Sequence, residues 1–225
     1  PKNCITMQYD EEGFLYPVVH KDLCVNCGIC DQVCPFGHLN DRVSTNSSTY
    51  MAFQNSNQNV RMDSTAGGAF SLIAEYIINN GGIVYAVGYN AEMTVCHEKC
   101  DSIRGLNKLR GSKYVQSDLR NIFVDIKSNI VERLVLFVGT PCQVHGLKAF
   151  IGDNKNLYTI DLLCLGVSSP RLFAEWIDYL NDKYHSQVRH VSFRDKHYGY
   201  ATPNVRVFFE NGKSMDQKYD TRVHA

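Results

Sequence analysis

The sequence has no excess of either charge: lysine plus arginine number 23, aspartate plus glutamate 23, and the formal net charge over 225 residues is zero. With no global field there is no electrostatic case for nucleic acid or an anionic membrane as partner. Long apolar runs are missing too. The longest, residues 134–138, is far too short to cross a bilayer, and no apolar secretory segment stands at the start. Internal repeats and low-complexity tracts are absent. The nine cysteines are an odd, unevenly spaced set. Most lie in one tight motif or inside apolar segments, which suits a reducing, cytoplasmic setting rather than a disulfide-stapled secreted fold.

What is present is concentrated at Cys24, Cys27, Cys30 and Cys34, followed by Pro35. C-x2-C-x2-C-x3-C-P is the run by which bacterial-type ferredoxins hold a 4Fe-4S cluster. Two-residue gaps let a tight turn, helped by Gly28, wrap three thiolates around one corner, and the x3-C-P step turns the fourth away. A zinc ribbon would need two separated cysteine pairs. Because the fourth cysteine ligates the other cluster in two-cluster ferredoxins, a second run is expected, and none lies downstream at suitable spacing. Pro1-Lys2-Asn3-Cys4-Ile5-Thr6 reads as the tail of such a first motif, and the charged end at Ala225 carries no closing signal. The expectation is a chain cut from a longer protein at both ends.

At 225 residues there is room for a small cluster domain and one sizeable core. The fold class expected is a small ferredoxin-like α+β domain over residues 1–40, a polar linker over 41–59, and an α/β domain with a mainly parallel sheet over 60–225. Apolar residues on either side of Asp10-Glu11-Glu12-Gly13 predict a two-stranded hairpin leading into the cysteine loop. From Ala66 onward helices and strands alternate. Ala69, Leu72, Ile73, Tyr76 and Ile77 fall on one helical face that Asn79-Asn80-Gly81-Gly82 ends. Strands follow over residues 83–87 and 133–138, a helix opens at Thr140-Pro141, and another strand spans residues 157–164, ahead of a helix over 170–180. Such alternation implies a parallel sheet covered by helices, with extended segments past His190.

Three loops carry polar or reactive residues. Ser64-Thr65-Ala66-Gly67-Gly68 precedes a helix, so its amides are either a phosphate seat or an ordinary cap with glycines for close packing. Arg110-Gly111-Ser112-Lys113-Tyr114-Val115-Gln116-Ser117 is either a cofactor loop or a solvated surface loop. Cys142, in Gly139-Thr140-Pro141-Cys142-Gln143, and Cys164 follow successive predicted strands, which usually neighbour one another. Both then reach the carboxyl edge, where open α/β sheets bind ligands. They read as cluster ligands, as buried core cysteines, or, for Cys142 with His145 one turn on, as an activated nucleophile. Cys96-His97-Glu98-Lys99-Cys100 is not expected to bind metal, because strand alternation separates its ligands.

Together these loops resemble the beta-subunit family of coenzyme F420 hydrogenases and dehydrogenases, with Arg194-Asp195-Lys196 fitting a later segment of that family. The resemblance implies an iron-sulfur flavoprotein oxidoreductase carrying 4Fe-4S clusters and FAD in a flavin-binding α/β domain. It places Ser64, Thr65, Gly67, Gly68, Ser112, Lys113, Tyr114, Ser117, Gly139 and Thr140 at the flavin. It makes Cys142 and Cys164 two ligands of a cluster beside it, in addition to Cys24, Cys27, Cys30 and Cys34. It also implies a ferredoxin or another subunit as redox partner and hydride exchange with a small molecule, either deazaflavin coenzyme F420 or another substrate. Two other readings stand beside it: a non-catalytic electron-carrier or interaction subunit, and a thiol transferase using Cys142.

Overall fold

The computed structural model describes residues 3–38, 49–202 and 204–218; the expected chain ends at Pro1 and Ala225 and much of the expected linker lie outside them. The chain opens with strands β1 (Ile5–Tyr9) and β2 (Leu15–Val19), paired antiparallel. Asp10 makes the turn: its Oδ1 accepts from Glu12 N at 3.1 Å and Phe14 N at 2.7 Å, the local competition with the backbone that Asp brings to turns. Gly13, at φ 82°, is buried against helix α6 (Pro170–Tyr184), where a Cβ would overlap that of Arg171. The Gln116 amide holds Leu15 through both its backbone groups, at 2.7 and 3.1 Å. The hairpin is thereby tied to the larger part of the molecule. Helix α1 (Ile29–Val33) and a 3-10 turn (Pro35–His38) complete the cysteine segment.

Helices α2 (Gln58–Met62), α3 (Ala69–Asn79), α4 (Ile122–Asn129) and α5 (Pro141–Ile151) and strands β3 (Ile83–Tyr89), β4 (Val95–Cys100), β5 (Val135–Gly139) and β6 (Leu157–Asp161) build the α/β core. The sheet order is β4-β3-β5-β6, with β3-β5 and β5-β6 parallel and β4 antiparallel at the edge. Strand alternation divides it cleanly. Val84, Ala86, Leu136 and Val138 face α3, while Ile83, Tyr85, Val135 and Phe137 face α4 and α5, as a period of two requires. A third layer, β7 (Val188–Asp195), β8 (Asn204–Phe209) and β9 (Ser214–Lys218), is antiparallel and packs its Val191, Val207 and Phe209 with Phe173, Ile177 and Leu180 of α6. No helix among the described residues is long and apolar enough to cross a membrane.

Three sequence expectations shift. Helix α3 buries Ser71, Ala74 and Ile77, with Phe70, Ile73 and Ile78 beside them, and leaves Leu72 and Tyr76 exposed; apolar residues surround it almost completely, so periodicity alone admits two faces and sheet packing selects one. The helix that the sequence predicts near Ile103 is only a 3-10 turn, Gly105–Lys108. Strand β6 stops at Asp161 rather than at Cys164.

Candidate functional site

The cysteine loop turns through two left-handed residues, Asn26 at φ 51° and Gly28 at φ 68°. These let so short a segment reverse direction. Cys27 and Cys30 are exposed and Cys24 and Cys34 half-buried, all as free thiols. Cys24 Sγ donates to Asn26 Oδ1 at 3.7 Å. Among the described residues no three His, Cys, Asp or Glu side chains stand grouped as a ready metal cage. The donor set nevertheless fits an iron-sulfur cluster: four soft ligands on one accessible, tightly turned loop.

Cys142 and Cys164 meet the sheet at equivalent places. Gly139 of β5 is paired with Asp161 of β6, and each cysteine stands three residues beyond its paired residue (142 − 139 and 164 − 161). Cys142 is exposed in the first turn of α5, its Sγ 3.1 Å from Thr140 Oγ1. After Leu162 N donates to Gly139 O at 2.9 Å, the β6 chain peels away, and Cys164 lies half-buried between the fully exposed Leu163 and Leu165. Neither cysteine is a core residue. The hydrogen-bond partner that Cys142 shows among the described residues is Thr140. Helix α5 is also the surface on which α1 and the Pro35 turn pack, with Gly146 beside Pro35. One helix thus joins the cysteine loop to the sheet edge.

The ten residues assigned to flavin divide into groups. Ser64, Thr65, Ser112 and Lys113 line a cleft of about 260 Å³ together with Arg110, Gly111, Ser192, Arg194 and Asp195; Thr65 Oγ1 accepts from Ser112 N at 2.7 Å and lies 3.0 Å from its hydroxyl. Ser117, Gly139 and Thr140 gather at the end of β5. Tyr114, half-exposed, stands edge-on to Phe193 at 5.7 Å. Gly67 and Gly68 instead face the protein's own chain: a Cβ on Gly67 would come 2.9 Å from Phe53 O, and one on Gly68, at φ 85°, 3.0 Å from Asn55 Cβ. The cations also turn inward. Lys113 Nζ donates to Val87 O and Arg110 O at 2.9 Å each, and burial lowers its pKa to about 7 against the opposing pull of the Glu98 carboxylate. Arg110 binds Ser71, Asn107 and Glu75. Arg194 is exposed at the cleft and makes no ion pair among the described residues.

Residues 132–220 match the family described as the C terminus of the coenzyme F420 hydrogenase/dehydrogenase beta subunit, and residues 17–37 match the 4Fe-4S binding domain. Over residues 132–220 the chain is thus similar to the coenzyme F420 hydrogenase/dehydrogenase beta-subunit family. In fold it is similar to a chain of the F420-reducing [NiFe] hydrogenase complex from Methanosarcina barkeri, a structure determined with xenon derivatization. The identity is 16%, the TM-score 0.50, and the match covers 76% of this chain and 60% of the other. No curated protein matches it. The match at residues 17–37 coincides with the Cys24, Cys27, Cys30 and Cys34 loop and is to an iron-sulfur binding domain.

Sequence reasoning passed over two parts of this site. Lys196 is buried, donates to Arg61 O at 2.9 Å and Ala66 O at 3.0 Å, and lies 3.9 Å from the centroid of the Tyr200 ring, pinning the Ser64–Gly68 turn to β7; basic residues in a polar loop gave no sign of this. The second is His97. Cys96, His97 and Cys100 all lie in β4. His97 is buried and stacked on Phe137, centroids 5.0 Å apart and planes 9° apart. Burial lowers its pKa to about 4, with the Val138 and Asp118 interactions opposing. Since the unfolded imidazole titrates near 6.5, only the unfolded state gains a proton between about pH 6.5 and pH 4. Stability is therefore complete above that window and is lost as pH falls through it. Going from pH 7 to pH 5 should cost about 2 kcal/mol, with His190, lowered first by burial, adding in the same direction. Urea unfolding of wild type and His97→Phe at both pH values checks this. An equal pH dependence in the two would exclude His97 as the source.

Proposed function

We propose that the chain is an iron-sulfur flavoprotein subunit. It would pass electrons between a ferredoxin-like partner or companion subunit, 4Fe-4S clusters and FAD, and would exchange hydride with a small molecule such as a deazaflavin. The observation that carries this reading is the arrangement around α5: the ferredoxin-type loop packs on one helix whose first turn presents Cys142 beside the strand leading to Cys164. Bound clusters would supply one-electron transfer, and FAD would couple it to hydride chemistry. Cys24, Cys27, Cys30 and Cys34 would hold the ferredoxin-type cluster iron, and Cys142 and Cys164 part of a second, flavin-side site. Thr65, Ser112 and the Gly111 backbone offer donors in the cleft. Arg194, in no ion pair among the described residues, offers its positive charge for an anionic group.

A specific observation favours one alternative, an electron-carrier subunit without flavin. Gly67 and Gly68 pack against the protein's own residues 53–55, and Lys113 and Arg110 are engaged internally. The same packing makes Gly68 a poor place to test flavin binding, since a side chain there strains the backbone whatever the ligand. Arg194→Ala is the cleaner variant. It should leave the circular dichroism spectrum unchanged and weaken FAD binding roughly 10-fold or more, the loss of one charge-assisted hydrogen bond. Full-length protein purified anaerobically, with iron, sulfide and flavin released on denaturation all assayed, decides between the readings: iron and sulfide with no flavin, and none taken up on titration, would leave the carrier.

A further inference from the structure

The buried ring of His97 has both nitrogens engaged, and the partners fix the direction of every proton. Nε2 lies 3.1 Å from Val138 O; a carbonyl only accepts, so Nε2 carries the hydrogen. A neutral imidazole then has an acceptor at Nδ1. Ser117 Oγ, 3.2 Å away, must donate to it. The Ser117 oxygen accepts from Gln143 Nε2 at 3.0 Å, and Gln143 Oε1 accepts from Thr140 N at 3.0 Å. The four bonds run one way, from the Thr140 amide to the Val138 carbonyl. Those two residues flank Gly139, so the chain of bonds closes into a ring around the turn between β5 and α5. Gly139 must lack a side chain there: a Cβ would stand 2.8 Å from Phe137 and 2.9 Å from Gln143 Oε1. Bonds aligned head to tail polarise one another. Thr140 forms a capping box with Gln143, which occupies its hydroxyl as an acceptor and leaves the O–H to donate to Cys142 Sγ, 3.1 Å away.

We propose that His97, Ser117 and Gln143 are positioning residues that orient the Cys142 sulfur at the sheet edge, through a closed hydrogen-bond ring ending on the Thr140 turn. This rests on Cys142 being a cluster ligand. No group in the ring touches the metal. Each acts through Thr140, whose hydroxyl would donate to the ligating sulfur, the kind of contact that tunes a cluster. Ser117 and Gln143 are reached from β4 only because residues 115–118 run beside it, with His97 N donating to Asp118 O at 3.0 Å and Asp118 N to Val95 O at 3.0 Å.

The test uses full-length protein and two variants. His97→Phe keeps an aromatic ring on Phe137 and removes both nitrogens; Gln143→Leu breaks the ring at its other side without touching the buried stack. Without metal, amide hydrogen exchange of the turn at Thr140 should speed up at least tenfold in either variant, while exchange in β3 stays unchanged. The double variant should be no faster than the faster single. With clusters loaded, both variants should alter the line shape of the flavin-side cluster in electron paramagnetic resonance at full iron content. Unchanged exchange at Thr140 would overturn the ring; faster exchange with an unchanged signal would overturn the positioning role. Cys142→Ser separates this from the underlying reading: if it leaves iron and signal intact, Cys142 is not a ligand, whereas loss there with no change in His97→Phe defeats the positioning proposal alone. Should His97→Phe fail to fold, the same outcomes in Gln143→Leu decide it.

Discussion

Replacing Cys27 with serine in the metal-loaded, full-length protein should remove about one cluster's worth of iron, roughly four atoms per chain. A serine alkoxide is hard and poorly formed at neutral pH, so it substitutes badly for a soft thiolate. Cys27 is exposed, in a loop turned by Asn26 and Gly28. The exchange of sulfur for oxygen there disturbs no packing, and urea stability of the metal-free chain should stay within about 0.5 kcal/mol of wild type. Iron and sulfide analysis of the anaerobically purified variant is the measurement. Unchanged iron would remove the cluster from Cys24, Cys27, Cys30 and Cys34.

The second large effect is expected at the sheet edge. Cys142→Ser and Cys164→Ser should each slow flavin reduction by reduced ferredoxin by more than the ~10–100-fold typical of losing an outer-shell partner of a metal, while leaving the ferredoxin-type cluster loaded. If the two cysteines ligate one site as proposed, their double variant should be little worse than either single one, because they would act as a unit. The structure sharpens this test. Cys142 is exposed and Cys164 half-buried, so neither replacement should carry the stability cost of placing a hydroxyl in a core. A rate defect could not then be assigned to misfolding. Normal flavin reduction in either single variant would take that cysteine out of the electron path.

Much of the fold was legible because it is written in local chemistry. Asp10 and Gly13 make the hairpin turn from their own side chain and backbone freedom, and Thr140-Pro141 opens α5 from a capping residue and a proline pre-set for the first turn. The alternating apolar strands β3 and β5 are buried on both faces, as their continuous hydrophobic runs imply. Where local chemistry was ambiguous, reading failed. Helix α3 carried apolar residues nearly all round, so its buried face waited on the sheet. Residues 162–164 continue an apolar run but leave the sheet, and nothing in their composition marks Asp161 as the last paired position.

For the candidate site the division has the same cause. The sequence by itself determined the cluster motif, whose ligands lie within eleven residues and need only a turn to converge, and it placed Cys142 and Cys164 after successive strands. Tertiary structure alone decided what the other polar residues face. Lys113 and Arg110, in a loop read as either a cofactor loop or a solvated surface loop, are held by backbone carbonyls and side chains within the fold, while Arg194 is exposed at the cleft that Asp195 also lines. His97 finds its partners 20 and 41 residues away in sequence, and Gln143 reaches Ser117 across 26. A spacing pattern reports which residues share a turn, a strand face or a helix face. Bonds between separate elements depend on register and packing, which only the assembled sheet, with β5 set between β3 and β6, supplies.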